Sequence, residues 1–283
     1  MILHLMEDLV KHMKRGKRKM NQAERRIYLI KYLLSEQIHY KGIVIPQEEQ
    51  AQKDLLRSLV NVRPPRPVDQ EFLNIQDAYL ITENAKDGIK DLAELSPTKL
   101  DKRIYLFQGD ITALKVDAIV NAANSQMCGC FRAMHNCVDN IIHTKAGVEL
   151  RAYCNDMMQA QGHEEPTGQA KITPAFNLPC KYVIHTVGPI VQGRLQKKHE
   201  ELLASCYHSC LELAEQNGVR SLAFCCISTG VFMFPNERAA EIAVETVRKY
   251  YEETGSEMKV VFDVFKEEDL AIYSRILPDD MLG

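Results

Sequence analysis

Apolar residues occur along the chain with two different periods, and the period changes near residue 102. Beyond that point six short apolar runs have the length and composition of strands: RIYLFQ, DAIVNAA, AKITPAF, YVIHTV, SLAFCCIS and KVVFDVF. Longer amphipathic runs at 138–158, 197–216 and 236–253 predict helices between them. This alternation predicts a layered α/β domain in which helices cover a largely parallel sheet. No long helix separates AKITPAF from YVIHTV, so we expect a mixed sheet.

The first hundred residues have a helical period instead. NQAERRIYLIKYLLSEQ and PQEEQAQKDLLRSLVNV each carry an apolar stripe, and a proline suited to a first helical turn opens the second run. RPPRP at 63–67 ends that helix, and EFLNIQDAYLITENA and GIKDLAEL predict short helical pieces. Composition changes again in LSPTKLDK at 95–102. We therefore predict a helical extension over 1–98 and an α/β domain over 99–283.

Composition excludes several classes of protein. The chain has 283 residues, 46% hydrophobic and 26% charged, with a net charge of −3, so it lacks the electrostatic footprint of a nucleic-acid-binding protein. No apolar run reaches the roughly 20 residues of a membrane span, and the N-terminus lacks a signal-peptide cleavage site. Nine irregularly spaced cysteines are typical of a reducing compartment. We expect a cytoplasmic protein that binds neither membrane nor nucleic acid.

The segment NAANSQMCGCFRAMHNCVDNIIH carries the most specific chemistry. Cys130, His135 and Cys137 are a donor set that zinc prefers, and three protein ligands leave an open position typical of a catalytic site. His135 and Cys137 would point to different sides of a helix, so an irregular loop is expected. Two alternatives remain open. The cluster could be a structural zinc site with Cys128 or His143 as fourth ligand, or unligated thiols near a core histidine.

Polar residues follow three of the predicted strands. Asp110 could cap a helix or accept a hydrogen bond from an exocyclic amine such as that of adenine. Asn121 and Asn124 could be turn residues or could hold sugar hydroxyls. The segment STGVF at 228–232 could be an ordinary loop or could bind phosphate through its amides, although it lacks the lysine of a P-loop. Ligands of open α/β sheets bind beyond the carboxyl ends of the strands, where all these groups are expected.

Taken together these motifs resemble the macrodomain family of ADP-ribose-binding modules. The resemblance runs through QGDIT, VDAIVNAANS, VDNIIHTKAG, ITPAF, VIHTVGP, AFCCISTGVFMFP and KEEDL. The glycine-rich loop usual after NAAN is replaced by CGCFRAMHNC, which is similar to the loop of zinc-dependent microbial macrodomain hydrolases. Those proteins also carry a helical N-terminal extension. The resemblance implies a three-layer sandwich with one zinc ion per chain.

It also implies a role for each candidate residue. Asp110 and Ile111 would contact adenine, with Phe265 nearby, and Asn121 would belong to the substrate site. Asn124 would hold the distal ribose, and Asp139 would be the hydrolytic carboxylate. Backbone amides of the loop would bind the diphosphate; its residues are Ser228, Thr229, Gly230, Val231 and Phe232.

The implied activity is zinc-dependent, glycosidase-type removal of mono-ADP-ribose from a modified protein. The bond cleaved would join the anomeric carbon of the distal ribose to a side chain. Zinc would bind the ribose or activate a water, and Asp139 would orient or deprotonate that water. The alternatives are a non-catalytic reader of ADP-ribose and an interaction protein whose zinc only staples a loop. A sirtuin-type ADP-ribosyltransferase system is an expected partner.

Overall fold

The structure is a computed structural model that describes residues 20–277. The N-terminal segment on which the prediction against secretion depends lies outside these residues. The chain divides into two compact units, the first ending at Leu56 and the second beginning at Arg57. This division differs from the composition boundary at 98/99, which stays a prediction.

The first unit contains helix α1, Gln22–Ser35, as the sequence predicts. It begins with a capping box in which Asn21 Oδ1 accepts from the Glu24 amide at 2.9 Å. The Glu24 carboxylate accepts in turn from the Asn21 amide, also at 2.9 Å. These two bonds satisfy amides that have no partner within the helix, and so they fix where α1 starts.

Three further predictions for the N-terminal region have different outcomes. Helix α2, Glu49–Val62, is present, but it starts three residues after Pro46. Helix α3, Gln70–Lys86, is a single 17-residue helix rather than a short piece. The short helical piece predicted in GIKDLAEL is confined to the 3-10 helix Leu92–Glu94, because Lys90–Asp91 is extended. Pro97 follows closely and disfavours helical backbone in the residue before it.

The second unit is built on a six-stranded sheet. The strands are β1 Ile104–Gln108, β2 Ala118–Ala123, β3 Ala170–Pro174, β4 Tyr182–Val187, β5 Ser221–Phe224 and β6 Lys259–Val264. Their order in the sheet is β1-β6-β5-β2-β4-β3. Five strands are parallel to one another, and β3 runs antiparallel to β4 as expected for a mixed sheet. All six predicted strands are therefore confirmed.

Helices cover this sheet. Helix α4 (Val138–Ala146) packs on β2, and helix α6 (Lys197–Gln216) packs on β3 and β4. Helix α7 (Asn236–Thr254) packs between α6 and helix α8 (Glu267–Ile276), which in turn contacts β1 and β6. The layered α/β architecture is confirmed.

The predicted helical stretch at 138–158 is two helices, because Gly147 interrupts it. Helix α5, Val148–Gln161, begins immediately after this glycine. Gly147 has φ 101° and ψ 173°, a backbone conformation that is essentially restricted to glycine. A Cβ there would lie 2.6 Å from Gln76 Nε2. The Gln76 side chain accepts from the Val148 amide at 2.9 Å, so the break is fixed from α3.

None of the nine cysteines, all of which lie in the described residues, forms a disulfide bond. Within residues 20–277 no helix has both the length and the apolar composition required of a membrane span.

Replacing Gly147 with alanine tests the break. We expect Gly147→Ala to lower the free energy of unfolding by about 1–3 kcal/mol, because alanine is strained at this backbone conformation and its methyl group meets Gln76. Gly218 also has positive φ, but a Cβ there would contact nothing within 4 Å, so Gly218→Ala should cost only about 1 kcal/mol. Urea denaturation measures both values, and equal losses would contradict the role of Gln76.

Candidate functional site

The candidate residues meet at one edge of the sheet. Strands β1, β6, β5 and β2 are parallel neighbours, so their carboxyl ends lie side by side. Asp110 follows β1, Phe265 follows β6, the 228–232 loop follows β5, and Asn124 follows β2. Parallel sheets place binding sites at this edge, and the structure brings together the groups that the sequence predicted there.

Asp110 caps the 3-10 turn Ile111–Ala113, which is the first of the two roles that the sequence allowed for it. Asp110 Oδ1 accepts from the Thr112 amide at 2.9 Å. Its other oxygen accepts from Lys145 Nζ at 3.0 Å. Burial acts to raise the pKa of this carboxyl, but the bonds from Thr112 and the charge of Lys145 prevail and hold it below its ordinary value. Asp110 is therefore a fixed carboxylate at the β1 end of the site.

The two asparagines of the NAAN segment lie in different surroundings. Asn124 forms a turn, accepting from the Gln126 amide at 3.0 Å and donating to the Gly129 carbonyl at 3.2 Å. Asn121 is fully buried, and its amide donates to Asp139 Oδ1 at 2.8 Å. Asn124 thus lies just before the loop that carries Cys130, His135 and Cys137, and Asn121 lies in the interior beneath the site.

The metal-ligand trio is assembled as the sequence predicted. The ligand atoms of Cys130, His135 and Cys137 lie within 4.8 Å of one another, and Cys130 Sγ is 3.4 Å from His135 Nδ1. Zinc bound to sulfur at about 2.3 Å and to nitrogen at about 2.0–2.1 Å requires donors this close together. The three residues lie in irregular chain, which the short spacing between His135 and Cys137 required. The donor set therefore fits zinc.

Cys137 is also the N-cap of α4, and its sulfur accepts from the Asn140 amide at 3.4 Å. A helix N-terminus favours negative charge, so this bond suits a thiolate ligand. Burial raises the pKa of the free thiol to about 12. A bound metal must therefore displace its proton, as it does at thiolate sites in general.

Neither candidate fourth ligand belongs to the trio. Among the described residues the cluster around Cys130 includes neither Cys128 nor His143. His143 instead forms a second, fully buried group with Cys154 and His185. Neither residue therefore lies close enough to complete a group of four donors with the trio in this structure.

Asp139 is buried in the first turn of α4, and its side chain is only 7% exposed. Burial raises the pKa of this carboxyl to about 6, although the bond from Asn121 and the charge of Arg151 act to lower it. His143 Nε2 lies 3.6 Å from Asp139 Oδ1. A carboxyl with a pKa near neutrality can accept or release a proton at physiological pH, as a general base requires.

The 228–232 loop exposes its backbone. Ser228 has a positive φ of 66°, and a Cβ placed on Gly230 would meet nothing within 4 Å. In the part of the chain that the structure describes, no residue accepts from the amides of Thr229, Gly230, Val231 or Phe232. The buried Ser228 hydroxyl is without a partner as well, within the same described residues. Donors left free in one turn form a cradle suited to an anion.

Sequence reasoning missed the residues that surround the metal-ligand loop. Asn140 donates to the carbonyls of Cys130 and Arg132, and Arg151 donates to the carbonyl of Cys128. Arg57 and Asn61, in α2, also bond to this loop. Only Asn140 lies near the cysteines in the sequence, so no short motif marks the other three.

Comparison with known proteins supports the resemblance. The sequence model of the Macro domain matches residues 120–243. A protein-ADP-ribose hydrolase from Treponema medium is 58% identical over 91% of this chain and 100% of its own length. One from Staphylococcus aureus (strain MSSA476) is 50% identical over 89% of this chain and 95% of its own. The crystal structure of a Trypanosoma brucei macrodomain in complex with ADP-ribose has a TM-score of 0.59 at 30% identity, covering 78% of this chain and 94% of that one.

Buried His185 gives a testable dependence of stability on pH. Asn121 Nδ2 lies 3.1 Å from His185 Nδ1, and Thr173 Oγ1 lies 3.0 Å from Nε2, so the contacts suit a neutral ring. Burial lowers the pKa of His185 to about 3. Below about pH 6.5 His185 is protonated in the unfolded chain but stays neutral in the folded protein. Acidification therefore lowers the free energy of unfolding. Asp139 acts with the opposite sign, since its pKa is raised.

We therefore compare wild type with His185→Gln, which removes this imidazole while Asp139 and the buried His143 are present in both proteins. Wild type should be the more stable at pH 7, and its advantage should shrink by up to about 1.4 kcal/mol per pH unit between about pH 6.5 and 4. Chemical denaturation at several pH values measures this difference. A difference independent of pH would show that His185 is not held neutral.

Proposed function

Since this chain belongs to the macro domain family, we propose that it is a hydrolase that removes mono-ADP-ribose from modified proteins. The bond cleaved joins the anomeric carbon of the distal ribose to a protein side chain. The observation that carries this proposal is the position of the metal-ligand trio directly after the NAAN strand, with Asp139 in the next helical turn. The relatives named protein-ADP-ribose hydrolase support it over nearly the whole chain.

The order of the strands supports an orientation for ADP-ribose along the sheet edge. Asp110 and Phe265 lie at the β1 and β6 end, the 228–232 loop follows β5, and Asn124 follows β2. Adenine, diphosphate and distal ribose are joined in that same sequence. The fixed Asp110 carboxylate, beside Ile111, would accept from the exocyclic amine of adenine, and exposed Phe265 offers a ring for stacking.

Binding energy from the remote parts of the substrate would fix the reacting ribose. The free amides of Thr229, Gly230, Val231 and Phe232, with the Ser228 hydroxyl, would donate to the diphosphate oxygens. Asn124 would position the distal ribose beside the metal loop. A bond held in one orientation reacts faster because the cost in entropy has been met on binding.

Cys130, His135 and Cys137 would hold one zinc ion, leaving a position open. When bound, zinc supplies Lewis acidity to the ribose or to a water, whose pKa it lowers to about 7. Asp139 would orient the attacking water and accept its proton as the oxygen bonds to the anomeric carbon. The bond between the anomeric carbon and the side-chain oxygen breaks, and its electron pair stays with the departing carboxylate, which needs no proton. Asp139 would then release its proton to solvent, which its pKa of about 6 allows.

Zinc dependence is tested by release of ADP-ribose from an aspartate- or glutamate-modified protein. We expect wild type to lose activity when its metal is stripped and to regain it with added zinc. Cys130→Ala should bind less zinc and stay inactive. Metal content is measured on each sample, and Cys180→Ala is the control, since this buried cysteine lies outside the trio. Full activity without metal would contradict the zinc-dependent reaction.

A second experiment separates the hydrolase from the reader. Asp139→Asn should lower kcat by about 10²–10⁴-fold, the usual contribution of a placed general base, while ADP-ribose binding by calorimetry stays within a few-fold. If zinc-loaded wild type binds ADP-ribose tightly but releases none from a modified protein, the chain is a reader.

The sirtuin-type partner and the cytoplasmic location stay predictions, which genome context and fractionation would test.

A further inference from the structure

The loop that carries the three ligands has no regular structure to hold it. Residues 128–137, called here the metal loop, contain neither helix nor strand. Two of them have positive φ, Gly129 at 82° and Met134 at 55°. Groups behind the ligands orient them and raise metal affinity, so an irregular segment depends on outside contacts for its binding shape. Groups outside the metal loop that bond to it therefore affect metal binding.

Arg151, on α5, holds the start of the metal loop. Its Nε donates to the Cys128 carbonyl at 2.8 Å, and Nη2 lies 3.5 Å from the Cys130 carbonyl. The guanidinium also lies 4.3 Å from the centre of the Phe131 ring. Its remaining nitrogen, Nη1, donates to the carbonyls of Val60, Asn61 and Arg63. Those carbonyls lie at and just after the C-terminus of α2, where the helix supplies no partners of its own.

Arg57 holds the end of the metal loop from the same helix. Its Nη2 donates to the His135 carbonyl at 3.0 Å and to Asn140 Oδ1 at 3.1 Å. Asn140 is fully buried, and its amide donates to the Arg132 carbonyl at 3.0 Å. Arg57 thus contacts one ligand residue directly and fixes the asparagine that bonds to two others, through the Cys130 carbonyl and the Cys137 sulfur.

Asn61, also in α2, contacts the middle of the metal loop. Its Oδ1 accepts from the Met134 amide at 3.1 Å, at the residue with positive φ that precedes the ligand His135. Its Nδ2 donates to Thr144 Oγ1 at 2.8 Å, which ties it to α4. Asn61 is 1% exposed, so both bonds are shielded from water. Breaking either one leaves a buried polar group unpaired.

We propose that Arg57, Asn61 and Arg151 are positioning residues that hold the metal loop in the shape required to bind zinc. The last two turns of α2 thereby belong to the metal site, although they contribute no ligand. This inference rests on the proposed function insofar as the bound metal is zinc. The Arg151 guanidinium also interacts electrostatically with Cys130, and its positive charge would offset part of the negative charge of a thiolate there.

The test measures zinc affinity of the full chain by competition with a chromophoric chelator. Arg57→Ala and Asn61→Ala should each raise the zinc dissociation constant about 10–100-fold, as loss of contacts behind metal ligands usually does. Arg57→Lys keeps one donor and should recover part of the loss. Leu59→Ala is the matched control, because it removes a buried side chain from the same helix that can donate no hydrogen bond to the loop.

Unfolding temperature of the metal-free proteins separates positioning from general stability. Leu59→Ala should lower it at least as much as Arg57→Ala does, yet keep wild-type zinc affinity. Cobalt(II) replacing zinc gives a second readout, since its visible absorption weakens when the four-coordinate geometry is lost. We expect weaker absorption for Arg57→Ala and Asn61→Ala only.

Two outcomes would overturn the inference, and they differ in what else they affect. If wild type binds zinc and the Arg57 and Asn61 variants bind it equally well, or if Leu59→Ala loses as much affinity as they do, the contacts are merely structural. The proposed function would stand in that case. If wild type binds no zinc while its cysteines are reduced, the inference and the zinc-dependent reaction both fail.

Discussion

Parallel alignment of β1, β6, β5 and β2 is the constraint on which the rest of the site depends. Because these strands run in one direction, each connection to the following helix leaves the sheet at the same edge. Groups that are far apart in the sequence, from Asp110 to Phe265, are therefore brought into one row. The antiparallel strand β3 lies at the far end of the sheet, beside β4, and so it leaves this row intact.

Beneath the row, buried polar side chains from different elements bond to one another. Asn121 uses one amide group for two neighbours, Asp139 and His185. Burial shifts the pKa values of those neighbours in opposite directions, up to about 6 for the carboxyl and down to about 3 for the imidazole. At neutral pH the imidazole is therefore uncharged while the carboxyl is mostly ionised, and a change in the polarity above them would alter the protonation of the carboxyl first.

The fold and the close grouping of Cys130, His135 and Cys137 could be predicted from the sequence because the signals for them are local. Strand and helix periods appear within single windows, and Cys130, His135 and Cys137 lie within eight residues. The break at Gly147 could not be predicted in this way, since a glycine inside a helical pattern is often tolerated. The break is fixed by Gln76, which is 72 residues from Val148 in the sequence. The supports of the metal loop escape prediction for the same reason, because Arg57 bonds to residues 78 and 83 positions away.

The contacts made by α2 limit where the protein can be truncated. The sequence model of the family covers 120–243, and the change in composition lies at 98/99, so a fragment trimmed to either limit would lack α2. In such a fragment the Arg151 side chain would lose three of the five carbonyls that it contacts. The contacts of the loop 128–137 therefore extend beyond the limits of the recognisable domain, into a helix that the composition boundary places in the N-terminal extension.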